Sequence, residues 1–169
     1  MIAVYKKFFL MLGVTVLLCL SASVVWSEQK LIPLNEYISK LDKPNGNQYV
    51  YTRCAGHFLY LAEIFRDKRE VQQKISDKLY GDSVIFTNLA SLMLSLKNDD
   101  KSLSNKYIEE KVYQFRDIYD KMSNENYLNR GNLISEFMQN DIRSCHLQRK
   151  TIPQKYVDLL SKITGKDFK

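Results

Sequence analysis

The hydrophobic pattern of the chain is helical from residue 47 onward. Between Asn47 and Arg66, apolar residues recur every three or four positions, at Val50, Cys54, Phe58, Leu61 and Phe65. This spacing is typical of one face of an α-helix, and Asn47 is a suitable N-cap. Similar spacing continues in later stretches, whereas no run of alternating β-branched residues indicates a strand. The pattern predicts an all-α fold, a compact bundle of five or six helices.

Turn residues suggest where the first helices begin and end. The segment Lys43-Pro44-Asn45-Gly46 is a strong turn signal, so residues 28–46 are predicted to be an irregular lead-in with one helical turn at Leu34–Leu41. Gly81, followed by Asp82-Ser83, predicts a helix end and a new cap. The pattern over Asn47–Leu79 is compatible with one helix or with two.

The later helices are predicted from the same signals. Val84–Leu96 is the most apolar stretch after the N-terminal region, too short to span a membrane, and is interpreted as the buried central helix. Further helices are predicted over Leu103–Met122 and Leu133–Gln148, with an Asn-rich loop over Ser123–Asn132 between them. Thr151 is predicted to cap a last short helix that ends at Gly165. A single helical domain over residues 47–165 follows, with a tail over 166–169.

The N-terminal region has the order of a secretory signal. Lys6 and Lys7 precede the apolar run Phe8–Leu20, small residues follow at Ser21–Ser23, and no acidic residue occurs before Glu28. We predict a signal peptide over residues 1–27 and a protein located in the periplasm or secreted. The alternative is an uncleaved anchor, because Phe8–Trp26 is long enough to span a thin bilayer. The protein would then be a single-pass, membrane-anchored envelope component.

Removal of the signal peptide would leave two cysteines, Cys54 and Cys145. In an oxidising compartment, two cysteines in a small domain predict one disulfide. Both lie at core-facing positions of different predicted helices, so the bond would join the first long helix to the penultimate one. The combination of leader and cysteine pair resembles small exported helical proteins of Gram-negative bacteria, some of which are stress chaperones or inhibitors. That resemblance assigns no role to any residue.

The distribution of charge along the sequence indicates which classes of partner the protein could bind. Without residues 1–27, the chain contains 23 Lys and Arg and 19 Asp and Glu, which gives a net charge of +4. Since these charges are mixed in sign along the predicted helices, no basic patch of the kind that nucleic-acid binding needs stands out. The predicted partner is another envelope protein, with no nucleic acid, and with a membrane only if the leader is uncleaved. The sequence does not define the oligomeric state.

No recognisable catalytic set occurs in the sequence. It contains no GxSxG, HExxH, CxxC or Gly-rich phosphate loop, so neither an enzyme nor a cofactor is predicted. The alternative is a thiol- or metal-dependent activity that uses Cys54, His57 and Cys145. With His146 these residues have the types of a zinc set. Against it, adjacent residues on a helix point about 100° apart, and a disulfide would occupy both thiolates.

A tyrosine-rich part of the first long helix suggests a contact surface. Tyr49, Arg53, His57 and Tyr60 form the candidate set, because tyrosine and arginine are enriched at protein interfaces. The alternative is that they are core-edge residues with solvated polar ends. Together these observations predict a non-enzymatic protein-binding, chaperone-like or inhibitory module.

Overall fold

Six helices make up the part of the chain that the computed structural model describes, namely residues 31–42, 47–66, 70–96 and 101–165. These residues contain no strand, which confirms the predicted all-α bundle. The predicted signal peptide, the turn at 43–46 and the tail at 166–169 lie outside the described residues. In chain order the helices are α1 (Leu34–Ser39), α2 (Gln48–Phe65), α3 (Glu70–Ser95), α4 (Lys101–Arg130), α5 (Glu136–Thr151) and α6 (Gln154–Thr164).

Helix α2 occupies the centre of the bundle. Every side chain from Val50 to Ala62 is buried, and α2 packs against α3, α4 and α5. The prediction that Val84–Leu96 is the buried central helix was wrong, because this segment forms the end of α3 and leaves Leu92 and Leu96 exposed. The apolar pattern predicted less burial for α2 than the structure shows, because several polar side chains of α2 are also buried.

Helix α2 begins and ends with defined backbone contacts. The side chain of Asn47 accepts a hydrogen bond from the Val50 N–H at 3.2 Å, which confirms the predicted cap. Helix α2 ends at Phe65 and α3 begins at Glu70, so the stretch left open as one helix or two contributes to two separate helices.

The helix break predicted at Gly81 to Ser83 is absent because tertiary contacts use the residues concerned. Gly81 lies inside α3, where the Asp82 carboxylate accepts a hydrogen bond from Arg149 Nε at 2.8 Å. The Ser83 hydroxyl donates to the Ala55 carbonyl at 2.8 Å instead of capping a helix. Local turn propensity is therefore overridden by packing against α2 and by the ion pair to α5.

The predicted loop at Ser123–Asn132 is mostly helix. Helix α4 continues to Arg130 and ends at Gly131, which adopts the left-handed conformation with φ +67°. Thr151 is the last residue of α5 and does not cap α6, whose N-terminal neighbour is Pro153. The predicted end at Gly165 is confirmed, since this glycine also has φ +67°.

Gly56 sets the distance between α2 and α4. A Cβ atom at this position would lie 2.7 Å from the Val112 carbonyl oxygen and closer still to the Phe115 Cβ. Both neighbours belong to the facing helix, and one of them is backbone, which cannot move aside without shifting α4. The close approach of the two helices therefore requires glycine.

Part of the predicted lead-in belongs to the core. The short helix α1 packs against α5, and Leu34 at its start is completely buried. The described residues from Ile32 onward form one compact unit. Among the described helices, none combines the length and the apolar character that a membrane crossing requires.

Candidate functional site

A disulfide joins the central helix α2 to α5. The sulfur atoms of Cys54 and Cys145 are 2.09 Å apart, and both residues are fully buried. This pairing is the predicted one, and it closes a loop with a sequence separation of 91 residues. While the bond exists, neither sulfur can act as a nucleophile or as a thiolate ligand.

A buried ion pair lies beside the disulfide and connects the same two helices. Arg53 precedes Cys54, and Asp141 is one helical turn before Cys145. Arg53 donates to Asp141 Oδ2 from Nη2 and, at 3.1 Å, from Nε. Neither side chain is exposed to solvent. A charge in such a place is tolerated only with an opposite charge and hydrogen bonds around it.

Tyr119 and Leu34 form further hydrogen bonds with this ion pair. The Tyr119 hydroxyl accepts a hydrogen bond from Arg53 Nε at 3.0 Å and donates its proton to Asp141 Oδ2. The other carboxylate oxygen, Oδ1, accepts the Leu34 N–H at 2.8 Å. Asp141 on α5 therefore contacts α1, α2 and α4 through a single carboxylate.

The protonation states follow from this arrangement. Burial alone would lower the pKa of Arg53, but the neighbouring oxygens of Tyr119 and Asp141 outweigh it and raise the pKa above its ordinary value. Burial raises the pKa of Tyr119 well above its usual value, and the charge of Asp141 acts in the same direction. The guanidinium thus stays charged and the phenol keeps the proton that it donates.

His57 lies one turn beyond Arg53 and is fully buried. Its ring stacks on Tyr119 with the ring centres 3.9 Å apart and the planes 11° from parallel. Neither ring nitrogen has a hydrogen-bond partner within the described part of the chain. Burial, assisted by the charge of Arg53, lowers the pKa of His57 to about 3. At neutral pH the imidazole is therefore an uncharged packing group.

The predicted contact surface on α2 was wrong. Arg53, His57 and Tyr60 are buried, and burial also raises the pKa of the Tyr60 hydroxyl. Tyr49 is half-buried, with its ring 4.6 Å from that of Tyr37, and its hydroxyl accepts a hydrogen bond from Arg53 at 3.4 Å. Other helices surround α2. The residues beside its apolar stripe were expected to contact solvent, but they contact these helices instead.

The sequence reasoning missed Asp141 and Tyr119. Asp141 precedes Cys145 by four residues and so shares the inward face of α5. An acidic residue on the same face as a core cysteine indicates a buried charge that needs a partner. Tyr119 carried a weaker signal, because its place on the apolar face of α4 is ordinary for tyrosine.

The zinc alternative does not fit the geometry. Cys54 and Cys145 are bonded to each other, and His146 is exposed although its neighbour Cys145 is buried. Among the described residues, no three His, Cys, Asp or Glu side chains come together as a metal site would require.

Comparison with known proteins gives no assignment. No family model matches the chain, no curated protein matches it in sequence, and no solved structure matches its fold.

Proposed function

We propose that this protein is a non-enzymatic, exported helical module that binds another protein of the cell envelope. Three of the residues considered for thiol or acid–base chemistry, Cys54, His57 and Cys145, lie in the core. Cys54 and Cys145 form the buried disulfide, and His57 is buried without access to a substrate. The chemistry available to a partner is therefore that of the outer helix surfaces.

The observation that carries this proposal is the end of α4. The α4 tip, residues 124–133, exposes three large apolar side chains, at Tyr127, Leu128 and Leu133. Leu128 is 84% exposed, although most of its neighbours in the tip are Asn, Gly or Arg. Single exposed apolar residues are ordinary, but three within seven positions of one helix end form a cluster of the kind that marks an interaction site.

The backbone of the α4 tip is held in place by its own hydrogen bonds. Gly131 N–H donates to the Tyr127 carbonyl at 2.8 Å, and the Asn126 side chain donates to the Asn132 carbonyl at 2.6 Å. A preorganised element loses less conformational entropy on binding than a mobile loop does. This rigidity suits an inhibitory or chaperone-like contact.

Export is part of the same proposal. The leader-like order of residues 1–27 supports delivery to the periplasm or the medium, and the disulfide is compatible with an oxidising compartment. Mass spectrometry of the protein from the envelope should find a mature chain that begins near Glu28 and contains one disulfide. A chain that begins at Met1 and remains in the membrane after a carbonate wash would instead support the anchored alternative.

Site-directed photo-cross-linking in intact cells tests the contact. The cross-linking amino acid is placed at Asn129 in the tip or at Lys78 on α3, both exposed helical positions. We expect a discrete protein adduct from position 129 alone. Leu128→Ser should abolish it, whereas Val71→Ser should not, although Val71 is also 70% exposed. Equal adducts from both positions, or an adduct that survives Leu128→Ser, would refute the role of the α4 tip.

A further inference from the structure

The positive charge of the protein is concentrated at its C-terminal end. From residue 143 to the C-terminus there are seven Lys and Arg but only two Asp, a balance of +5, whereas the whole chain has +6. The charges are therefore not evenly scattered, contrary to the interpretation of the sequence given above. Helices α5 and α6 provide most of this segment.

Both helices repeat one pattern on their outer faces. Each has a cation, then a leucine four residues later, then a second cation three residues after that. Residues at this spacing share one helix face. Leu147 is 61% exposed and Leu159 is 51% exposed. The two triplets are Arg143, Leu147 and Lys150 on α5, and Lys155, Leu159 and Lys162 on α6.

These cations are available to an external anion. None of the four forms an ion pair with a described residue. The only acidic residue between positions 143 and 165 is Asp158, and its carboxylate accepts a hydrogen bond from Gln154 at 3.0 Å. Lys155 lies 5.3 Å from the ring centre of Tyr156, which is itself exposed. The face of α6 thus combines tyrosine, leucine and lysine.

This combination distinguishes between the classes of anionic partner. Protein interfaces are depleted of lysine around their apolar anchors, and a nucleic-acid backbone offers nothing to an exposed leucine. At a bilayer surface, leucine enters the boundary between headgroups and acyl chains. Lysine extends its apolar stem alongside and keeps its ammonium at the lipid phosphates.

We propose that α5 and α6 present their outer faces to one side and that these faces bind the surface of an anionic lipid bilayer. Leu147 and Leu159 enter the headgroup region, and the four flanking cations contact lipid phosphates. Each cation near such a surface strengthens binding about fivefold, and the effect decreases with salt. This attachment is peripheral, uses a surface other than the α4 tip and does not depend on whether the leader is retained.

Vesicle binding by the chain that begins at Glu28 tests the proposal. We expect co-sedimentation with phosphatidylcholine vesicles that contain phosphatidylglycerol at low salt, and loss of binding with pure phosphatidylcholine or at high salt. Lys150→Gln with Lys162→Gln should weaken binding about 25-fold, since two cations are removed. The matched control, Lys74→Gln with Lys78→Gln on α3, removes the same charge and should leave binding within about twofold of the unchanged protein.

Fluorescence reports the leucine contact separately. The only tryptophan of the chain is Trp26 in the leader, so a Leu159→Trp variant of the mature chain carries a single probe. Its emission should shift to the blue with anionic vesicles, and Leu147→Ser should weaken binding severalfold. Binding without the blue shift, or equal binding to a soluble polyanion such as heparin, would overturn the proposal in favour of an acidic macromolecule. Leu128→Ser should leave vesicle binding unchanged, so failure here would leave the α4-tip contact standing.

Discussion

Replacing Asp141 by Asn tests whether the buried ion pair organises the core. The substitution keeps the size of the side chain and one carbonyl-type oxygen, which can still accept the Leu34 N–H now bound at 2.8 Å. It removes the negative charge and places an amide group where Oδ2 accepts hydrogen bonds from Arg53 and Tyr119. Arg53 would then be a buried cation without an anion.

The expected magnitude follows from these contacts. Two hydrogen bonds from Arg53 to Oδ2 are charge-assisted, and each is worth about 1.5–3 kcal/mol. Their sum agrees with the roughly 3–5 kcal/mol that breaking one side of a buried pair costs. Tyr119→Phe should cost only about 1–2 kcal/mol, because Arg53 Nε keeps its bond to Asp141. The Asp141→Asn variant should therefore be much less stable than Tyr119→Phe.

Urea unfolding followed by circular dichroism at neutral pH measures these differences. The double variant Arg53→Met with Asp141→Asn removes both charges and keeps the acceptor for Leu34. It should be more stable than Asp141→Asn alone, since no unpaired charge remains in the core. This comparison still holds if the single variant is largely unfolded. A loss below about 1 kcal/mol for Asp141→Asn, or a double variant no better than the single one, would refute the reasoning.

Three further predictions concern neighbouring residues. The pKa of His57 is about 3 when folded and about 6.5 when unfolded. His57 should thus cost the wild-type protein about 1.4 kcal/mol per pH unit as the pH falls from 6.5 to about 3, and His57→Phe should lack this contribution in unfolding measured at several pH values. Gly56→Ala should lower the free energy of unfolding by about 1–3 kcal/mol in urea despite better helix propensity, because the new Cβ meets α4. Removing both Cys54 and Cys145 should cost up to about 4–5 kcal/mol. The native bond should resist dithiothreitol without denaturant, as thiol assays can show, because both sulfurs are buried.

The sequence was sufficient for the parts of the fold that depend on periodicity. The repeat between Asn47 and Arg66 predicted α2. The two cysteines could be paired because both occupy inward positions in a chain with a leader-like start. These inferences need only the spacing of residues within each helix and, for the cysteine pair, the leader-like start.

Features that depend on three-dimensional neighbours could not be predicted. The sequence predicts a helix break at Gly81. However, the Arg149 side chain on α5 and the Ala55 carbonyl on α2 bind the two residues after it, and α3 continues. The polar character of Arg53 and His57 predicted a surface position, but other helices pack around α2 and bury both residues. A prediction from an amphipathic pattern places charged residues in contact with water. It fails for Arg53, because Asp141 on another helix supplies the opposite charge inside the core.

The ion pair and the disulfide stabilise the α2–α5 contact in different ways. The disulfide stabilises the contact by restricting the unfolded chain. The carboxylate of Asp141 adds a directional requirement, because both of its oxygens must meet donors from α1, α2 and α4 together. A rotation of α5 that satisfied the disulfide but displaced Asp141 would leave Arg53 unpaired. The orientation of α5, and with it the outward direction of Arg143, Leu147 and Lys150, is therefore fixed from the core.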